Sequence, residues 1–465
     1  MQILKPLKNF KSYILKNISS AEPDVCPFWI ENPISASEFL KAIQKLSKEK
    51  AAGPSGISFD LLKIACSSAP EIAEDLAHYF HQMVVLKINL PFDLLAARLI
   101  ASIKPVDGIE LDGIRPIAVG ESLSRLLASI VFDRVKDKAS KPSNPHQFGI
   151  KTIDGASVAA LASDTFLNAE VNNFIFNLDF TNAFNSVKRK AIFEVIKSDF
   201  PELSSFFYHF YGQELDLIFN SFGLKSSSGV KQGDPLGPLL FCLAIHKTIN
   251  IIKQKYPSIK IVAYMDDISL IGSFNLLILV AQKIADSYEN IGFHLNASKC
   301  LLIGSSSQAF VINDSIVPFT NKSSDAFKFL GCWLGNVPQI QNELKVILEK
   351  MKIELDSIST LDLEKHIEFF MLKICFTGRI IHILRFCAPS IALNFCRSFN
   401  SLRTEFFADL LDVEPEMLNN YLFSSTNLGG IGLTKSSILC QSVFWVKARI
   451  SFMNFLVDFL MILIC

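Results

Sequence analysis

Tyr264-Met265-Asp266-Asp267 lies between two largely apolar runs, residues 259–263 and 268–271. Two β-prone runs joined by a tetrapeptide with paired aspartates predict a hairpin with carboxylates at its tip. Side chains alternate along a strand, but at a turn both carboxylates can face one cavity. Crowded carboxylates repel unless a cation sits between them. Mg²⁺ held by one or two carboxylates plus substrate phosphates would answer that need. A second carboxylate stands at the end of FIFNLDF, residues 174–180, where Asp179 interrupts an apolar run. A charge ending a buried strand is costly unless paired or metal-bound. Asp179 equally suits an N-cap for a helix starting near Asn182. Two-metal phosphoryl transfer needs carboxylates from separate segments, converging on ions ~4 Å apart. Asp179 and the Asp266–Asp267 pair meet that need if their strands are sheet neighbours.

Between them runs SGVKQGDPLGP, residues 228–238, leading into an apolar helix pattern. Its glycines let backbone approach a ligand closely, and Pro235 and Pro238 force a turn. A glycine-rich loop alone is an ordinary connection; its place between the two aspartate segments gives it weight.

The ordered segments resemble the motifs of a reverse transcriptase of the non-LTR, LINE-like branch. The Asp179 segment comes first, then SGVKQGDPLGP, then AYMDD. IGFHLNASKC (residues 291–300) resembles the fourth palm motif, and FKFLGCWLG (residues 327–335) the primer-grip hairpin. Upstream, residues 98–128 resemble the fingers motifs, and AAGPSGI (residues 51–57) resembles the start of that domain. LGGIGL (residues 428–433) looks like a segment found downstream in such elements, so the likeness spans most of the chain.

The resemblance implies an α+β right-hand polymerase fold with an antiparallel-sheet palm, mixed fingers and a helical thumb. It implies RNA-directed DNA polymerase activity, with an RNA template, a DNA primer and dNTPs as partners. Two Mg²⁺ ions are the implied cofactors, with Mn²⁺ as an alternative. Asp179 and Asp266 would hold the metals, with Asp267 as the secondary carboxylate and the Phe180 carbonyl as a further ligand. Phe184 matches the position that blocks a ribose 2′-hydroxyl; by residue type alone it suits a core phenylalanine at a helix start. Ala183, Gln232 and Gly233 would line the nucleotide site. Lys104 and Arg115 are candidate triphosphate contacts, or else solvated charges. Lys299 would be the general acid for pyrophosphate, and Phe329, Leu330 and Gly331 would seat the primer. Met265 stands where Ala is commoner in the family, and Asn185 where Asp is commoner. The competing reading is a decayed or domesticated copy that binds nucleic acid or a protein without synthesis.

The chain has 465 residues, half of them apolar, enough for a sizeable core. Forty-five basic residues balance 45 acidic ones, which weighs mildly against nucleic-acid binding, since phosphate affinity rests on Lys and Arg. The ten cysteines show no zinc-ligand spacing, so reduced thiols are expected. No signal peptide is evident, and the apolar stretch 452–465 is shorter than the ~20 residues that span a bilayer. It reads as a core helix or a truncated end, with no membrane partner. An intracellular, nuclear location is a family expectation without a basic targeting run. No nuclease module is recognisable, so a separate endonuclease is a candidate partner.

Four regions are expected. Residues 1–30 form a lead-in and 31–150 the fingers. Residues 151–335 form the palm, with an insertion at about 187–225 and the primer grip at 327–335. Residues 336–465 form the thumb and C-terminal extension. Within them, apolar spacing predicts a helix over 35–50, capped by Ser35 with Glu38 completing a capping box. Further helices are expected over 59–66, 70–85, 122–138, 156–168, 240–255 and 276–291, and a hairpin joins strands 99–104 and 115–119 through 107–113. Residues 187–222 read as mainly helical, and so do 339–412.

Overall fold

The computed structural model describes residues 26–46, 50–85, 92–103, 114–140, 146–212, 214–220, 222–305, 310–312, 315–361 and 363–444. The expected loop 107–113, Lys104, the lead-in up to residue 25 and the apolar tail 452–465 lie outside them.

A short helical turn at Pro27–Glu31 is followed by α1 (Ala36–Lys45), α2 (Phe59–Ser68) and α3 (Glu71–Val85). Ser35 Oγ accepts the Glu38 N–H at 3.3 Å, so the predicted cap forms. The reciprocal half of the box does not. The Glu38 carboxylate instead takes the Arg134 guanidinium at 2.7 Å, from a helix distant in sequence. Strands β1 (Ala97–Ile103) and β2 (Ile114–Gly120) pair antiparallel, as their sequence pattern predicts. The next helix, α4 (Ser122–Ser140), anchors the AAGPSGI segment. Glu121 accepts the Ser55 N–H and hydroxyl at 2.7 and 2.6 Å, and Arg125 donates to the Ala51 carbonyl at 2.6 Å.

Helix α5 (Gly155–Ala169) leads into β3 (Asn173–Leu178). Then come α6 (Arg189–Asp199), α7 (Ser204–Tyr211) and a hairpin of β4 (Leu215–Phe219) and β5 (Phe222–Ser226). The hairpin corrects the helical expectation for residues 187–222. Leu215 and Leu217 alternate with Asp216 and Ile218, and β4 lies parallel to β1, so tertiary pairing decides the outcome. The result is a four-stranded sheet of order β2-β1-β4-β5.

Helix α8 (Gly237–Lys255) precedes β6 (Lys260–Tyr264) and β7 (Asp267–Ser273), the predicted hairpin. After α9 (Phe274–Asn290) come β8 (Leu301–Gly304), the short pair β9 (Val311–Ile312) and β10 (Ser315–Ile316), and β11 (Phe319–Asn321). The main sheet has five strands in the order β11-β8-β3-β7-β6. Its central strands explain themselves by alternation. Phe174, Phe176, Leu178, Ile268 and Leu270 join the core that includes Leu240, Ile245, Val280 and Ile284 of α8 and α9. Ile175, Val262, Ile271 and Ile303 face the other way, toward Val158, Ala162 and Phe166 of α5 and toward Phe327 and Phe329.

Those two phenylalanines belong to β12 (Ala326–Phe329), which pairs with β13 (Cys332–Gly335). Leu330 and Gly331 make the turn at φ 47° and 86°, as a two-residue hairpin with positive φ at both positions requires. The C-terminal region is mainly helical, with α10 (Val337–Ser359), α11 (Thr377–Phe386), α12 (Pro389–Leu411) and α13 (Pro415–Phe423) among its helices. They build a separate core around Leu344, Leu384, Phe399 and Phe407. No helix among the described residues is long and apolar enough to cross a membrane.

Candidate active site

The site sits where β3 ends and the β6–β7 hairpin turns. Leu178 pairs with Ile268 and Tyr264 with Asp267, so continuing the β3–β7 register by one residue sets Asp179 opposite Asp267. Both follow the parity of Asn177 and Ser269, which share a hydrogen bond of 2.8 Å on the α5 face of the sheet. This bond satisfies the two polar residues that interrupt otherwise apolar strands. Asp179 does not cap the following helix: the cap position is Asn182 at φ 47°, without a side-chain cap. The Asp179 backbone is fixed by the Asn296–Cys300 segment, its carbonyl accepting the Asn296 N–H at 2.9 Å and its N–H meeting Cys300 Sγ at 3.4 Å.

The carboxylates feel one another. Desolvation, then Asp266, then Asp179 push Asp267 up to about 6, and Arg115 pulls it back. The donor set is incomplete by itself: among the described residues no group of three or more His, Cys, Asp or Glu side chains is arranged to hold a metal ion. That fits a Mg²⁺ site in which one or two carboxylates are supplemented by substrate phosphates. The mutual repulsion at Asp267 is what a divalent cation there would relieve.

A cavity of about 220 Å³ opens beside the carboxylates, lined by Asp179, Asp267, Lys299, Lys328, Phe329 and Leu330 among others. It brings Lys299 and the β12–β13 turn to the same place as the aspartates. Phe329 is buried in the core, so the turn itself, Leu330–Gly331, forms the accessible tip. Phe180 is likewise a core residue, with its ring 5.3 Å from Tyr288 and 5.8 Å from Phe293. Ala183 is buried, whereas Phe184 is half-buried and stacks flat on Phe241 at 4.3 Å. The core reading of Phe184 is thus satisfied by one face of the ring, with part of the side chain still accessible.

The glycine-rich loop ties the segment that follows β3 to β2 of the other sheet. Gly229 N–H donates to the Val187 carbonyl at 2.8 Å, and Val230 N–H to Phe184 at 2.9 Å. At its other end the Gln232 carbonyl accepts the Ala118 N–H of β2 at 2.8 Å. Gly233 has φ 122°, and a Cβ there would lie 2.6 Å from the Ala118 oxygen. A glycine is required at this crossing. The loop is therefore held to Phe184 through Val230 and to Ala118 of β2 through Gln232.

Several positioning residues gave no usable signal in the sequence. Arg189 is 9% exposed and donates to the Gly229, Ser226 and Ser228 carbonyls at 3.1, 2.9 and 3.2 Å. Tyr211 donates to the Asp234 carboxylate at 2.5 Å, and Lys231 to the Leu95 carbonyl at 3.2 Å. Burial lowers Lys231 to about 8 and raises both Asp234 and Tyr211. Gln147 contacts the backbone of Met265 from 118 positions away. Lys231, Asp234, Asn296 and Cys300 lie inside segments that the sequence singles out, whereas Arg189, Tyr211 and Gln147 lie outside those motifs.

A family model described as "Reverse transcriptase (RNA-dependent DNA polymerase)" matches residues 104–334. The chain is 23% identical over 421 residues to the "Retrovirus-related Pol polyprotein from type-2 retrotransposable element R2DM" of Drosophila melanogaster, covering 84% of this chain and 38% of that protein. It is 26% identical over 274 residues to the "Retrotransposable element SLACS 132 kDa protein" of Trypanosoma brucei gambiense, covering 57% of this chain and 22% of that one. It is 22% identical over 435 residues to the "Retrovirus-related Pol polyprotein from type-1 retrotransposable element R2" of Popillia japonica, with 86% and 58% covered. The chain spans between 22% and 58% of the length of these curated relatives.

Proposed function

We propose, from the premise that this chain carries a reverse transcriptase domain homologous to those of non-LTR retrotransposon Pol proteins, that it extends a primer 3′-hydroxyl with dNTPs on an RNA template. One observation carries the reading. Carboxylates from two distant segments converge at one end of adjacent strands. In this reading residues 31–150 are the fingers, 151–335 the palm and 336–465 the thumb with its extension.

Asp179 and Asp266 would hold two Mg²⁺ ions, with Asp267 and the Phe180 carbonyl alongside. When bound, the metals supply charge neutralisation at the attacking oxygen and the triphosphate. The chain's own residues supply position. The β3–β7 register fixes the spacing of Asp179 and Asp267. The glycine-rich loop presents Gln232 and Gly233 to the incoming nucleotide, beside Ala183. Phe184, braced on Phe241, selects against a 2′-hydroxyl by clash. Arg115 and Lys104 bind the triphosphate, Lys299 donates a proton to the pyrophosphate leaving group, and Phe329–Gly331 seat the primer. A nuclease on another chain would prepare the primer.

The alternative is a domesticated reverse-transcriptase fold that binds without synthesis. Equal numbers of acidic and basic residues favour it, since phosphate affinity draws on net positive charge. Primer extension in Mg²⁺ with wild type and Asp179→Ala separates the two. Extension that the variant loses supports the polymerase; a folded wild type without extension supports the binding protein.

A further inference from the structure

Met265 occupies the turn of the β6–β7 hairpin at φ 57°, a left-handed conformation that a methionine adopts only at a cost. The compensation comes from Gln147. Its side-chain oxygen accepts the Met265 N–H at 2.8 Å and the Gly149 N–H at 2.9 Å. Its amide nitrogen donates to the Met265 carbonyl at 3.3 Å. One side chain therefore satisfies both backbone groups of the strained residue, and only a carboxamide offers donor and acceptor together in that shape. Gln147 is 3% exposed, so water is poorly placed to substitute for it.

The surrounding backbone aims it. Ala263 N–H donates to the His146 carbonyl at 2.7 Å, and Phe148 N–H to the Ala263 carbonyl at 2.8 Å, so the segment lies along β6 like a short parallel strand. Gly149 closes the fit. A Cβ there would stand 2.9 Å from Met265 N and 3.0 Å from its Cγ.

We propose that Gln147 is a positioning residue for the reaction: it locks Met265 in the left-handed turn and thereby sets where Asp266 and Asp267 point. This rests on the polymerase reading above. Gln147 is not a catalytic residue, because it touches the Met265 backbone and not the reacting atoms.

The test is a double-mutant cycle with a glycine at the turn. Gln147→Leu keeps the volume and removes the hydrogen bonds. It should slow extension about 100-fold, the scale expected for a ~1 Å misplacement of catalytic groups. Glycine adopts positive φ without steric cost, so it does not need the clamp. Measured within the Met265→Gly background, Gln147→Leu should therefore cost less than about tenfold. Equal losses in both backgrounds would overturn the proposal by making Gln147 a packing residue only, and no loss in either would overturn it outright.

Amide hydrogen exchange on the unmutated chain gives a second readout that survives a variant's failure to fold. The Met265 N–H should be strongly protected, and free exchange would refute the clamp. A wild type that fails to extend primers overturns the polymerase reading and the positioning role with it. Exchange at Met265 then decides separately whether the clamp exists.

Discussion

His146, one residue before the Gln147 clamp, makes the stability of the hairpin region depend on pH. Its side chain is 4% exposed, and its Nδ1 meets no hydrogen-bond partner. Burial, with Lys253 and Lys260 adding to it, pushes its pKa from the ordinary 6.5 down to about 4, against a hydrogen bond to the Ile261 backbone. Between these values the unfolded chain binds a proton that the native protein refuses. The stabilisation from keeping His146 neutral is therefore complete above the unfolded value and is lost as pH falls from 6.5 toward 4. Integrated from about pH 7.5 to about pH 5, this one group removes about 2 kcal/mol of folding stability. Asp267, raised to about 6, contributes with the opposite sign, because its native form holds the proton longer than the unfolded chain does. The measurement must therefore be a difference. Denaturant unfolding of wild type and His146→Gln at both pH values isolates the histidine, and the variant should lose about 2 kcal/mol less on acidification. Identical losses in the two proteins would show that His146 is not held neutral and would refute the argument.

The loop and the pocket give two more expectations. Tyr211→Phe removes a donor from the Asp234 carboxylate at the heart of the glycine-rich loop. It should destabilise the protein by about 1–3 kcal/mol in denaturant unfolding, and a change below about 0.5 kcal/mol would mean that solvent already satisfies Asp234. Phe184→Ala leaves its neighbour Phe241 in place and opens the accessible side of the ring. Discrimination between dNTPs and rNTPs in primer extension should narrow by at least about tenfold. Unchanged discrimination would assign Phe184 to packing alone.

Much of the site was legible because local pattern and tertiary structure agree there. Alternation along residues 174–178 and 268–273 fixes which face each side chain takes, and the same parity places Asp179 and Asp267 together. The β12–β13 hairpin was legible through the resemblance of residues 327–335 to a primer-grip hairpin. The β4–β5 hairpin was not. Gly212 marks the end of the helix before it, but the mostly apolar Leu215–Phe219 run does not alternate clearly, and pairing with β1 settles its conformation. Gln147 and Arg189 were invisible for a related reason. Each works through backbone groups that only the fold brings near, 118 positions away for Gln147 and 37 to 40 for Arg189. The Glu38 half of the predicted capping box was lost to a stronger, charge-assisted partner, Arg134.

The central claim is that the hairpin carboxylates serve nucleotidyl transfer. The most direct test is dTTP incorporation on poly(rA)/oligo(dT) in Mg²⁺, comparing wild type with Asp266→Asn. The substitution preserves size, removes the charge and replaces one acceptor oxygen with an amide donor. Incorporation by wild type that falls to background in the variant is the predicted result. Incorporation that survives Asp266→Asn, or a folded wild type with none, would contradict it.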